Sequence, residues 1–382
     1  MSRYATFILG VSVAMLACLG LVMLASTSAW VRGVEEPYFY LKRQAFMVVI
    51  GAFAAVITYR LDHAVLRKYW PWVLGAACVL LSCCYVPGLR VAVNGAYRWI
   101  HVPLVGQFQP SEPARVACML ALAGWFGRWQ SETRSFWRGF VLPGMIMGVP
   151  ICLIMFEKNM GEATDIALAT VVVMFCIGTR LIYLLPSAGL AAAALGWMVT
   201  HNENRMARIE AWRHLDDPVQ QIGKGMQQWR SLLAFGNGGP TGVGLGNSAE
   251  KLGFLPEFHT DFIFPVIGEE LGLVCTLCVV LCYVLIAVSG ISIAVQANTV
   301  FSRCLAIGLT SALVIPAMTN IAVVTALLPN DGKPLPFVSY GGSSVVFALA
   351  ATGLLMGIHR GAKAEAPVEV QLARQARFAV RL

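Results

Sequence analysis

Residues 262–296 read Phe-Ile-Phe-Pro-Val-Ile-Gly-Glu-Glu-Leu-Gly-Leu-Val-Cys-Thr-Leu-Cys-Val-Val-Leu-Cys-Tyr-Val-Leu-Ile-Ala-Val-Ser-Gly-Ile-Ser-Ile-Ala-Val-Gln. After Glu270 the run carries no charge through Gln296. A helix that crosses the hydrocarbon core needs about 20 apolar residues. This stretch is long enough to span with tilt or to project beyond the bilayer. The rest of the chain has the same character. Of its 382 residues, 58% are hydrophobic and 13% are charged, against roughly 25% charged in a typical soluble domain. So few charges cannot cover the surface of a soluble protein of this length. Disorder and a secreted disulfide scaffold are excluded by the same numbers. The fold class that remains is an all-α polytopic integral membrane protein.

Working outward, further apolar runs cover 5–26, 44–59, 70–86, 111–127, 138–156, 163–179, 181–200, 304–328 and 341–358, which makes ten in all. The first follows Arg3 and is too long for a signal-peptide core, so it reads as an uncleaved helix. The fourth opens with Glu112 and Arg115, and only Gly178-Thr179-Arg180 divides the sixth from the seventh. The chain reads as a single membrane domain over 1–382. It has a medium outer loop at 87–110, a long outer loop at 201–261, a re-entrant-type outer loop at 329–340 and a cytoplasmic tail at 360–382. Short amphipathic helices are expected near 203–214 and 219–234.

Net charge is +8. No basic stretch is long or interleaved with aromatics, so nucleic acid is not an expected partner. Basic residues instead orient membrane spans. With the N-terminus inside, fourteen fall on the inner side and eight at short outer loops and helix mouths. Both termini are therefore expected in the cytoplasm. The acids lie the other way. Only Asp62, Glu132, Glu365 and Glu369 are inner, and the remaining 16 of 20 are outer. Acids contribute little to orientation, so this bias points to chemistry on the outer face.

The eleven cysteines lie in or beside apolar runs and read as small hydrophobes. Cys275 and Cys278 form C-x-x-C without the βαβ context of a redox motif. The six histidines are scattered, and no metal-ligand cluster is expected. The Gly-rich run 236–246 follows no strand, which argues against a dinucleotide fingerprint.

Four polar constellations remain. Residues 255–264 read Leu-Pro-Glu-Phe-His-Thr-Asp-Phe-Ile-Phe, followed by Gly268-Glu-Glu-Leu-Gly272. Asp261 is either an N-cap of the following helix, shared with Thr260, or a carboxylate at the membrane mouth able to act as general base on a sugar hydroxyl. Glu269 and Glu270 would lie within the membrane, where carboxylates demand cationic or backbone partners. A second group is Asn94-Gly-Ala-Tyr-Arg-Trp-Ile100 with Gln107-Phe-Gln-Pro-Ser-Glu-Pro-Ala-Arg115. Ser111 is a candidate cap there. Glu112 and Arg115 form either a structural i,i+3 pair or, with Arg98, part of a basic site for a phosphorylated lipid headgroup. A third, Phe156-Glu-Lys-Asn-Met-Gly-Glu-Ala-Thr164, reads as a tight outer turn. The fourth, Leu328 to Ser344, holds too much Pro and Gly for a continuous helix. Its Gly341–Ser344 amides would either cap a helix in the ordinary way or hold an anion.

In order, N-G-A-x-R-W-I, F-Q-P-S-E, L-P-E-x-H-T-D-F-I-F, G-E-E-L-G and P-L-P-F-x-S-Y-G-G-S-S resemble the SEDS family (shape, elongation, division and sporulation) from about residue 10 to 360. Asn94-Gly95-Ala96 leans toward its FtsW branch over RodA. The resemblance implies a ten-helix fold that polymerises peptidoglycan glycan strands from lipid II. It implies Asp261 as the essential aspartate and Glu112 as a cavity glutamate, with Arg115 where the family has lysine. Residues Arg98, Glu112, Arg115, Asn159, Glu257, His259, Glu270, Lys333, Ser343 and Ser344 are the candidate substrate-binding set. Two departures stand out. The family's P-D-x-G-T turn has Asn159 for its aspartate, and its P-T-K-G has Asp331 for its cation, with Lys333 two residues on as a substitute. The implied partners are membrane lipids, divisome proteins and a class B penicillin-binding protein. The implied cofactor is at most a divalent cation, Mg or Mn. The leaving pyrophosphate would be met by Arg98, Arg115 and the loop cations Arg205, Arg208, Arg213, Lys224 and Arg230. Two rival functions stay open: a lipid-headgroup flippase or transporter, and a non-catalytic scaffold for a transpeptidase.

Overall fold

In a computed structural model, residues 4–31, 36–93, 96–102 and 106–364 are described. Asn94, Gly95, Arg3, Arg32 and most of the expected tail lie outside the described residues. The ten apolar runs become ten long helices: α1 (Ala5–Thr27), α2 (Phe39–Arg60), α3 (His63–Cys83), α4 (Ser111–Arg128), α5 (Leu142–Phe156), α6 (Met160–Ile177) and α7 (Leu181–Thr200), then α11 (Ile263–Gln296), α12 (Val300–Val324) and α13 (Ser343–Ala364). Three short helices, α8 (Glu203–Arg213), α9 (Pro218–Ile222) and α10 (Met226–Gly238), lie in the long loop. Nine of the long helices are apolar enough to cross a membrane among the described residues. The tenth, α4, carries Glu112, Arg115 and Arg128, but most of it is buried against protein. The chain is thus a multi-pass membrane protein.

Caps follow local chemistry. Asp62 accepts from the Ala64 amide at 2.8 Å to start α3, and Thr299 accepts from Ser302 at 3.1 Å to start α12. Helix α12 packs against α4, α6 and α11, while α1 packs on α11 and α13 on α2. Helix α7 lies at the margin and is the least embedded. The expected second loop helix is broken in two, with α9 ending at Ile222 and α10 starting at Met226. Helices α8 and α10 are pinned over the C-terminal end of α12. Trp212 Nε1 donates to the Ala326 carbonyl at 2.7 Å, and Gln228 Nε2 to those of Val323 and Leu328 at 2.8 and 2.7 Å.

One expectation about loops needs correcting. The stretch 87–110 is not merely a loop. It holds a three-stranded antiparallel sheet, β1 (Arg90–Val93), β2 (Ala96–Val102) and β3 (Gly106–Phe108), with Val91 opposite Trp99 and Ile100 opposite Phe108. Its β-branched and aromatic content favours strands, and Asn94-Gly95 is the sequence signal of a hairpin. The Gly-rich run serves α11. That helix is interrupted at Gly272, whose φ of 76° and ψ of −176° only glycine adopts readily. Backbone freed there is re-paired with the run: Val243 N donates to Glu269 O, Gly244 N to Glu270 O and Leu273 N to Gly239 O, all at 2.9–3.0 Å. A broken helix at membrane depth requires such partners. The chain packs so closely there that a Cβ at 272 would collide with the backbone of 240–242.

Candidate active site

Asp261 stands in the turn just before α11. The capping reading fails: α11 starts after Phe262 with no side-chain cap, and Thr260 Oγ1 donates instead to Glu257 at 2.9 Å. The carboxyl of Asp261 is left for other work. Burial, together with the Glu257 and Asp331 carboxylates, pushes it up to about 7 against the pull of Arg98. Such a group is poised to take a proton at neutral pH.

Arg98 comes from β2. Alternation along the strand puts it on the same face as the buried Ile100. Its Nη2 donates to the Lys158 carbonyl at 2.8 Å, and its buried Nε has no hydrogen-bond partner. Burial lowers its pKa, while Asp261, Asp331 and Glu157 raise it and Arg208 lowers it further. Of the proposed loop cations, Arg208 therefore comes near this group. Lys224 bonds Asn204 at 3.1 Å and Arg230 reaches Glu250 at 3.5 Å.

The turn expected to be plain is part of the site. Lys158, at φ 63°, presents its carbonyl to Arg98. Beside it Glu157 is 0% exposed, and neither carboxylate oxygen has a hydrogen-bond partner by distance and angle. Burial pushes it up to about 8, despite the Cys84 thiol and Arg98. Asn159 is buried, precedes α6 without capping it, and leaves Nδ2 without a partner.

The cations expected to meet pyrophosphate are mostly engaged. Arg115 Nε and Nη2 both bond Glu162 at 2.6 Å, and Glu112 lies 3.5 Å away with the Ser344 hydroxyl against it. The bidentate fork fills the arginine's best face, so Arg115 braces α4 against α6. Lys333 is held by Asp165 at 2.8 Å and Asp331 at 3.0 Å. Burial disfavours its charge, but Asp331 and Asp165 outweigh that and raise its pKa.

Other candidates line the edge or lie elsewhere. Glu257, exposed and at φ 56°, is beside Asp261. His259 stacks on Tyr40 with ring centroids 4.8 Å apart, accepts from the Tyr340 amide at 3.0 Å, and has its pKa lowered by burial. The Ser111 cap is also not observed: Pro110 precedes α4, and Ser111 Oγ accepts from Gln109 Nε2 at 2.9 Å. Of the Gly341–Ser344 amides, Gly341 N donates to Gln44 at 3.4 Å and Ser344 N to Gly341 O at 2.8 Å, so the expected anion cradle is half spent. Ser343 Oγ accepts from Gln109 N at 3.4 Å.

Glu270 is not in this group. It bonds the buried Lys251 at 2.8 Å and the half-buried Ser26 at 2.8 Å. Glu269 is held by Ser248 and by the Ala249 and Glu250 amides. The two acids that would have suited a transporter are held by structural partners. The divalent cation implied by resemblance finds no ready cage: among the described residues no three His, Cys, Asp or Glu side chains gather to hold one.

The arrangement is thus a partly buried carboxyl near neutrality, an arginine beside it, and a frame of ion pairs behind. Residues 7–364 match a family model, FtsW/RodA/SpoVE, described as "Cell cycle protein". A protein of Geobacter metallireducens named "Probable peptidoglycan glycosyltransferase FtsW" is 35% identical over 93% of this chain and 94% of its own. One of Thioalkalivibrio sulfidiphilus with the same name is 38% identical over 95% and 92%. A solved chain from "Structural coordination of polymerization and crosslinking by a peptidoglycan synthase complex" superposes with a TM-score of 0.74 at 25% identity, covering 93% of this chain and 97% of its own. The rod shape determining protein RodA of Thermus thermophilus follows at 0.67 and 26%, covering 92% and 95%. With the motifs, the ten long helices and these likenesses agreeing over nearly the whole chain, the protein belongs to the FtsW/RodA/SpoVE family.

Proposed function

We propose that this chain is a peptidoglycan glycosyltransferase that joins lipid II into glycan strands at the outer face of the cytoplasmic membrane, in septal wall synthesis, with both termini cytoplasmic. The observation that carries the reading is Asp261: a carboxyl near neutrality, at the mouth of the helix bundle, facing Arg98. It accepts the proton of the 4-hydroxyl of one lipid-linked disaccharide. That oxygen forms a bond to the anomeric carbon of a second chain. The bond from that carbon to pyrophosphate breaks, and undecaprenyl pyrophosphate leaves with the electron pair. A single base and direct displacement invert the sugar centre. Arg98, with Arg208 behind it, supplies positive charge for the developing pyrophosphate. Arg115 and Lys333, already paired, hold the walls.

A class B penicillin-binding protein is the proposed partner, supported by the likeness to a chain from a peptidoglycan synthase complex. The test is polymerisation of labelled lipid II by the purified protein with such a transpeptidase. Wild type yields glycan polymer and Asp261→Asn yields none. Undiminished polymer from the variant would overturn the base assignment. Headgroup translocation in proteoliposomes without polymer would make the chain a transporter instead.

A further inference from the structure

Asn320 lies near the C-terminal end of α12 and is 2% exposed. Its Nδ2 donates twice, to the main-chain oxygen of Asp261 at 2.9 Å and to that of Lys333 at 2.6 Å. One amide therefore ties the turn that carries Asp261 to the loop that follows α12. The loop returns the contact. Gly332 sits at φ 70°, and a Cβ there would stand 3.2 Å from Asp261 Oδ2, so bare backbone forms one wall around the carboxylate. Lys333 fixes that backbone from the far side, its ammonium bound to Asp165 on α6 and to Asp331. Asn330 braces the same turn, accepting from Gly332 N at 3.2 Å and donating to Gln227 at 2.6 Å. An ammonium held between two carboxylates is not free to swing toward a substrate.

We propose that Asn320 and Lys333 act together as positioning residues, clamping the backbone of 331–333 against Asp261 and so fixing the direction in which its carboxylate meets the acceptor hydroxyl. Neither touches substrate. The inference rests on the reading of Asp261 as the base. The physical reason is the tolerance of the reaction geometry: a misplacement of about 1 Å costs on the order of 100-fold in rate. The clamp also sets the charges that face Asp261. These are Glu257 from its own turn, Asp331 from the loop and Arg98 from β2. Lys333 holds the Asp331 carboxylate by one oxygen, so releasing it alters the field at Asp261 as well as the geometry.

The test uses the full chain with its transpeptidase partner and lipid II, reading kcat, KM and the pH dependence of kcat. Asn320→Ala and Lys333→Met should each lower kcat by about tenfold or more with KM changed by less than about twofold. Each should also move the midpoint of the acidic limb. Lys333→Arg, which can keep both ion pairs, should recover most of what Lys333→Met loses. An unchanged kcat and midpoint in both Asn320→Ala and Lys333→Met overturns the clamp. So does a loss confined to KM, which would make Lys333 a substrate ligand. Should Asn320→Ala fail to fold, the Lys333→Met and Lys333→Arg pair decides alone. Asp261→Asn separates the two readings. Full activity there removes the base, and the clamp with it; a dead Asp261→Asn beside normal Asn320→Ala and Lys333→Met removes the clamp only.

Discussion

Asp261 and the pair Glu269–Glu270 lie on one short stretch of chain, and the protein treats them in opposite ways. Glu270 is 0% exposed and takes hydrogen bonds from Lys251 and Ser26. Glu269 is bonded by a serine hydroxyl and two backbone amides. Both are saturated. Asp261 faces two other carboxylates and one arginine, and its side chain accepts no hydrogen bond among the described residues. A buried carboxylate that has all its partners stabilises a fold. One that lacks them is driven toward the protonated form and can exchange its proton. Being acidic and deep says little; what surrounds the acid separates structure from chemistry.

That contrast can be broken by substitution. The largest effect expected is on catalysis: Asp261→Asn should lower lipid II polymerisation by at least about 100-fold without lowering the unfolding temperature. Next is the saturated pair. Lys251→Met leaves Glu270 buried without its cation and should cost about 3 kcal/mol of stability, read by thermal unfolding in detergent; Lys251→Met with Glu270→Gln should recover part of it. If Lys251→Met abolished polymerisation at unchanged stability, the division between the two sets of acids would be wrong.

The pH dependence sharpens the contrast further. The proposed base role needs Asp261 ionised, so kcat should rise with pH through about 7. Stability runs the other way. A carboxyl whose folded pKa lies above its unfolded value favours the fold at low pH and loses that contribution as pH rises through about 7. Asp261→Asn should therefore gain stability relative to wild type between pH 4 and pH 8, as followed by unfolding temperature across that range. The smallest effect is expected far from either set. Lys42 pairs with Glu36 on the surface, and Lys42→Ala should change stability by about 0.5 kcal/mol or less.

The spans were legible because apolar length is a one-dimensional property: all ten runs became helices, even α4 with its charges. Asp261 stood out as a candidate from its motif and its place between a polar loop and an apolar run. What stayed hidden depends on pairings across the chain. Arg115 looked free for phosphate because its partner, Glu162, is 47 residues on. Lys333 looked like a substitute cation because Asp165, which holds it, lies 168 residues back. Glu157 carried no signal beyond being an acid in a turn. Asn320 left a faint trace, an amide inside an apolar run, where an unsatisfied polar group is costly. The sheet strands within 90–108 lie in a stretch that reads as loop, although Asn94-Gly95 between β-formers is a hairpin signal.

The break at Gly272 has a bearing on how the chain enters the bilayer. The backbone that re-pairs with it, at 239–244, precedes it by only some thirty residues. A ribosome delivers the patch before the gap. When α11 arrives at the membrane, its exposed peptide groups can find their partners through a short loop, whose closure costs little entropy. They need not wait for α12 or α13. An interruption that would be a hazard in a nascent span thus has its partners in chain made before it, close enough in sequence to close the gap locally.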